Sequence, residues 1–140
     1  MDNRMELVLP SYSKNEAFAR NVIAAFCVEL NPTMDEIDDI KTVVSEAVTN
    51  CIVHAYEGIC GDIVLRAEID GRTLHIEVED HGVGIENLEE AMKPYFTDKP
   101  DQERSGMGFT IMESFTDEMR VLKTPGGGVT VKMSKTFGEN

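Results

Sequence analysis

The sequence has no tryptophan, only three cysteines and no long apolar run. Its apolar runs fall far short of the ~20 residues that a membrane-spanning helix needs. The opening MDNRMELVLP is charged and lacks the apolar core of a signal peptide, so a cytoplasmic protein with no membrane association is expected. Cys27, Cys51 and Cys60 are odd in number and show no C-x-x-C spacing, which excludes a disulfide framework and a zinc site. Cys27 and Cys51 fall on apolar helix faces and read as small core residues. Basic residues are scarce, with 13 Lys and Arg against 26 Asp and Glu, for a net charge of −13. A duplex-binding surface needs a basic footprint, so no direct nucleic-acid partner is expected. No repeat, low-complexity tract or linker divides the chain, and 140 residues suffice for one core but not two. A single domain over residues 1–140 follows.

Several elements can be read from periodicity. Met5, Leu7 and Leu9 alternate with polar or outward positions, a first strand ended by Pro10. Ser13 and Glu16 have capping-box spacing and open a helix with Phe18, Val22, Ala25, Phe26 and Leu30 on one face. NPT breaks it, and Thr33 with Glu36 forms a second capping box. The long helix that follows carries an apolar stripe of Ile37, Ile40, Val44, Ala47, Val48, Cys51, Ile52 and Ala55, and ends near Gly58 and Gly61. Two alternating runs, Ile63 to Ile69 and Leu74 to Val78, flank Asp70–Gly71, a hairpin signal. After the glycine turn DHGVGI, residues 86–92 read as a short helix and 93–104 as a long loop. MGFTIMESF returns to helical spacing, and a hairpin with a PGGG turn closes the chain. Hairpins imply an antiparallel or mixed sheet, and amphipathic helices would cover its apolar face. The expected fold is a two-layer α/β sandwich (α+β), with a mixed, mostly antiparallel sheet and helices on one face.

Four pieces could carry chemistry, and each has a plainer reading. Glu46, Asn50 and His54 recur at four-residue intervals, so they form one slanted row bordering the apolar stripe. Such a row is commonly a solvated face. It also suits Mg²⁺, which takes a few protein oxygens, several waters and substrate phosphates. EDHGVGI is an ordinary glycine turn, or a purine-reading corner in which Asp80 accepts from an exocyclic amine while Gly82 and Gly84 leave room for a flat ring. FTDKPDQERSGMGFT is a surface loop, or a flap over a ligand, with Lys99 and Arg104 near a helix start opened by Ser105, Gly106, Met107 and Gly108, where phosphate is favoured. It is neither a Walker-type loop nor a full G-x-G-x-x-G, so P-loop and Rossmann readings are poor. GGGVT is a tight turn, or a turn whose Thr130 lies near a bound base.

Together and in this order, the pieces resemble the N, G1 and G2 boxes of the GHKL ATPase and kinase superfamily. The stretches NEAFAR, NPTMDEIDDIKTVVSEAVTN, DHGVGI, KPYFTDKP and ERSGMGFTIMESF further resemble the anti-sigma F factors of spore-forming bacteria. The resemblance implies a GHKL-type ATP-binding fold and an ATP- and Mg²⁺-dependent kinase acting on serine of an anti-anti-sigma protein. It also implies binding to a sporulation sigma factor and a homodimer. It makes Glu46 the general base and Asn50 the magnesium ligand. Asp80, with Gly82 and Gly84, becomes the adenine-reading corner. Gly106, Met107 and Gly108 become the phosphate-side turn, Thr130 the base-side threonine, and Arg20 an arginine that holds protein partners. Histidine kinases join such a domain to a hairpin carrying their own phosphoacceptor, and the chain has no room for one, so the acceptor is expected on another protein. The alternative is a nucleotide-gated sigma-factor-binding module with negligible kinase activity.

Overall fold

The computed structural model describes residues 2–55, 60–82 and 108–138, apart from the side chain of His54. Residues 86–92 and 93–104, expected as a short helix and a loop, lie outside the described residues.

The first strand, β1 (Asn3–Pro10), includes Pro10 as its last residue. Helix α1 (Asn15–Phe26) has Lys14 at its N-cap and no side-chain cap, so the expected Ser13–Glu16 capping box does not form. The Glu16 carboxylate instead accepts from the Ser45 hydroxyl on the next helix and pairs with Arg20 one turn on, at 3.3 Å. The chain then tightens into a 3₁₀ turn (Cys27–Leu30) that ends at Asn31 in the left-handed conformation, φ 49°. The Thr33 capping box does form. Thr33 accepts from the Glu36 backbone N–H at 3.1 Å, and the Glu36 carboxylate accepts from Thr33 N–H at 2.9 Å. It opens α2 (Met34–Asn50), which continues as a π-helical turn (Cys51–Ala55).

A hairpin of β2 (Asp62–Asp70) and β3 (Thr73–Glu79) follows, turning through Gly71 at φ 63°. Helix α3 (Gly108–Ser114), β4 (Glu118–Lys123) and β5 (Val129–Thr136) complete the described elements. The strand order is β1-β2-β3-β5-β4, and every neighbouring pair is antiparallel. Among the described residues, the sheet expected as mixed and mostly antiparallel has antiparallel pairs alone. β3 and β4 do run the same way, but β5 lies between them, so the crossover through α3 creates no parallel ladder.

Strand alternation sorts the sheet into two faces. Leu7, Leu65 and Val78 lie in register on one face, and Ile76, Met133 and Met119 lie beside them. These side chains meet the inner stripe of α2 (Ile40, Val43, Val44, Ala47, Val48), Ile23 of α1 and Met112 of α3 in one core. Helices thus cover one face, as expected. The other face is laddered with charge. Arg66 pairs with Glu6 at 2.8 Å, Glu77 at 3.1 Å and Glu79 at 2.9 Å, and Lys132 pairs with Glu77 at 3.2 Å.

Candidate active site

Helix α2 delivers Glu46 and Asn50, both half-buried at the margin of the apolar stripe. This is the position that a polar row beside the core requires. Asn50 is the last α-helical residue. The π turn begins at Cys51, so His54 lies outside the regular helical register that defined the row. Among the described residues, the Asn50 carboxamide makes no hydrogen bond, which leaves its oxygen available to a ligand.

Asp80 follows the last residue of β3 and is 4% exposed. Three donors hold this carboxylate. Its Oδ1 accepts from Gly82 N–H at 3.0 Å and from Val129 N–H at 3.1 Å, while Oδ2 lies 3.6 Å from the Cys51 thiol. The Asp80 N–H in turn donates to the Val129 carbonyl at 2.9 Å, which extends the β3–β5 ladder by one residue. Burial first, and then the adjacent Asp80 carboxylate, push the Cys51 thiol well above its ordinary range. It is therefore a protonated donor. Cys51 was expected only as a core residue. Nothing in its spacing marks it as a partner of a residue 29 positions away.

Two glycines permit this corner. A Cβ on Gly82 would sit 2.2 Å from the Ala55 carbonyl oxygen, and a Cβ on Gly128 would sit 2.2 Å from the Asp80 carbonyl oxygen. Gly128 also has φ 103°, which disfavours any side chain. The end of α2, the Asp80 turn and the entry to β5 therefore touch backbone to backbone. The structure brings together Asn50, Cys51, Asp80, Gly82 and Gly128. Gly108, buried at the start of α3, belongs to a helix that packs on α2.

Thr130 is placed differently from expectation. The β5 register pairs Thr130 with Glu79 and Leu122, on the face opposite Val131 and Met133. Asp80 and Val129 lie opposite each other on the core side. The Thr130 hydroxyl is buried and shares a 2.9 Å hydrogen bond with Thr124, so it serves the hairpin, and the Asp80 corner has Val129 instead. A one-residue offset moves a strand side chain to the other face, and the GGGVT run alone could not fix that offset. Arg20 lies on α1 beside Glu16, apart from this corner. Gly84, Lys99, Arg104, Ser105, Gly106 and Met107 lie outside the described residues.

Among the described residues, no group of three or more His, Cys, Asp or Glu could hold a metal ion. A half-buried glutamate and an asparagine carboxamide one turn apart do suit Mg²⁺ that keeps its waters and shares substrate phosphates. Among the described residues, no helix is long and apolar enough to cross a membrane.

The model of the histidine kinase-like ATPase domain family matches residues 10–135. An anti-sigma F factor of Caldanaerobacter subterraneus subsp. tengcongensis is 55% identical over 99% of this chain and 97% of its own length. Those of Clostridium acetobutylicum and Bacillus velezensis are 53% identical (98% of this chain, 96% of theirs) and 48% identical (100% and 97%). Among solved structures, the RsbU and RsbW domains of Rv1364c from Mycobacterium tuberculosis superpose with a TM-score of 0.70 at 20% identity. That match covers 96% of this chain and 32% of the other. The catalytic domain of the histidine kinase ThkA superposes with a TM-score of 0.61 at 17% identity and 96% coverage of both chains. At these identities the two structures bear on the fold alone. The chain belongs to the anti-sigma F factor family, within the histidine kinase-like ATPase domains.

Proposed function

We propose that the chain is an ATP- and Mg²⁺-dependent serine protein kinase that also binds and inhibits a sporulation sigma factor. Its phosphoryl acceptor is the serine of an anti-anti-sigma protein. The observation that carries this reading is the buried Asp80 corner. One carboxylate oxygen is spent on two backbone N–H groups and the other remains able to accept. The helix end bearing Asn50 lies beside it. A carboxylate there accepts from the exocyclic amine of adenine, and Val129 offers an apolar wall to the base.

Asn50 would hold the metal, and Mg²⁺ bound there would neutralise phosphate charge. Glu46, one turn before Asn50, takes the proton from the attacking serine hydroxyl, which is a weak nucleophile without a base. Lys99, Arg104, Ser105, Gly106, Met107 and Gly108 serve the phosphates, with Gly84 beside the base. Those roles are supported by the sequence motifs. Arg20 holds protein partners, and its pairing with Glu16 keeps the guanidinium at the α1 surface. A homodimer is supported by β1, a sheet edge with Val8 half exposed, and by the exposed Tyr12 and Phe18 nearby. The name of the relatives, anti-sigma F factor, supports a cytoplasmic setting.

The test uses γ-labelled ATP with magnesium and a candidate anti-anti-sigma protein. Label should move to a serine of the partner. Glu46→Gln should bind ATP within about threefold of wild type and lose transfer by at least roughly 100-fold, the scale of general-base catalysis. Full transfer by that variant would remove Glu46 from the role. Stable, nucleotide-dependent sigma-factor binding without label transfer would instead identify a nucleotide-gated binding module.

A further inference from the structure

The Asp80 carboxylate has two oxygens in unlike situations. Oδ1 is pinned by the N–H groups of Gly82 and Val129, at 3.0 and 3.1 Å. Two bonds to one oxygen still leave the plane of the carboxylate loosely set, because the terminal torsion of aspartate is broad. The only further donor to it, among the described residues, is the Cys51 thiol, 3.6 Å from Oδ2. Cys51 is 4% exposed and opens the π turn that ends at Ala55. The same turn receives the backbone of Gly82 so closely that a Cβ there would strike Ala55. The π turn therefore docks on the Asp80 segment twice, by backbone contact at Ala55 and by a side-chain hydrogen bond at Cys51. Widened helical turns of this kind commonly mark functional positions.

From this geometry we infer that Cys51 is a positioning residue for base recognition: its thiol sets the plane of the Asp80 carboxylate so that Oδ2 is presented to the exocyclic amine of an adenine nucleotide. The inference rests on the nucleotide-binding reading above. The chemistry of the donor suits the task. A thiol is a weak donor, and an ionised carboxylate oxygen has room for more than one hydrogen bond. Oδ2 is thus oriented without being used up. A serine hydroxyl can make the same bond. Alanine cannot, and it removes little volume.

The experiment compares wild type, Cys51→Ala and Cys51→Ser in calorimetric titrations with Mg-ATP and Mg-ITP. Inosine carries a carbonyl where adenine carries the amine. Cys51→Ala should weaken ATP binding about three- to tenfold, the worth of one modest hydrogen bond, and leave ITP binding within twofold. Cys51→Ser should restore ATP affinity. The infrared S–H stretch, isolated as wild type minus Cys51→Ser, should sit at the hydrogen-bonded position and move to the free position in Asp80→Asn. This band needs no alanine variant, so it decides the contact even where Cys51→Ala folds poorly. Unchanged ATP affinity in Cys51→Ala overturns the inference. Equal loss of ATP and ITP without rescue by serine does so too, because it identifies a packing role. Wild type that binds ATP and ITP alike is a separate outcome. It overturns the adenine reading of Asp80, and with it the positioning role, while a bonded S–H band would still show that the thiol meets the carboxylate.

Discussion

Replacing Asp80 by Asn swaps one acceptor oxygen for a donor nitrogen while keeping size and shape. The Asn carbonyl oxygen can take the place of Oδ1 and still accept from Gly82 and Val129, whose N–H groups lie at 3.0 and 3.1 Å. The amide NH₂ then occupies the position of Oδ2, beside the Cys51 sulfur. The fold should therefore survive, with stability in the absence of nucleotide changed by no more than about 1 kcal/mol. Base recognition should not survive. The exocyclic amine of adenine would meet a second donor, and a hydrogen bond to a charged acceptor, worth about 1.5–3 kcal/mol, would be lost. That corresponds to roughly a 10- to 150-fold rise in the dissociation constant of ATP. The carbonyl of inosine can accept from the new NH₂, so the ATP-over-ITP preference of wild type should shrink or reverse. Titration calorimetry with both nucleotides reads the change, and thermal unfolding confirms the fold. A folded Asp80→Asn protein that binds ATP within twofold of wild type would refute the reasoning.

Other perturbations separate the parts of the account. Gly128→Ala places a Cβ 2.2 Å from the Asp80 carbonyl oxygen at φ 103°, whereas Gly126→Ala at φ 89° meets nothing within 4 Å. In urea unfolding, the first should cost at least about 3 kcal/mol and the second only the backbone strain of about 1–3 kcal/mol. Thr130→Val should lower stability by about 1 kcal/mol through the lost Thr124 bond, yet leave the ATP dissociation constant within twofold. A large loss of affinity there would place the hydroxyl at the base after all. Burial pushes the Glu79 carboxyl upward, but hydrogen bonds from Arg66 and His81 outweigh it and hold it below its ordinary 4.5. Its stabilisation is therefore full above that value and is lost as pH falls through the lower folded value. Arg66→Ala should cost up to about 1 kcal/mol at neutral pH and flatten that acid loss in a pH series of unfolding curves, since the pairs lie at the surface.

What the sequence showed and what it hid follow from the range of each interaction. The Thr33–Glu36 box, the α2 stripe and the Gly71 hairpin depend on residues within one or two turns, and periodicity reveals them. The Ser13–Glu16 spacing failed because a partner 29 residues away, Ser45, takes the carboxylate. The sheet was expected as mostly antiparallel with room for a parallel pair, because strand count and hairpins do not say where β4 inserts. Only the long-range pairing of β5 with both β3 and β4 excludes a parallel neighbour. In the candidate site, Asp80 and Gly82 stood out because a short motif carries them. The face that Thr130 occupies could not be read from GGGVT, because face depends on a register set by β3. Cys51 was taken as core because its second role exists only when α2 docks on the end of β3.

The central claim is that one buried carboxylate, held by Gly82, Val129 and Cys51, reads the base of a bound adenine nucleotide beside the Glu46–Asn50 end of α2. The most direct measurement is a crystal structure with Mg²⁺ and a non-hydrolysable ATP analogue. The account predicts the exocyclic nitrogen of adenine within hydrogen-bond distance of Asp80 Oδ2, the base against Val129, and the Asn50 oxygen on the metal. An adenine ring seated away from Asp80, or a carboxylate turned from the base, would contradict it.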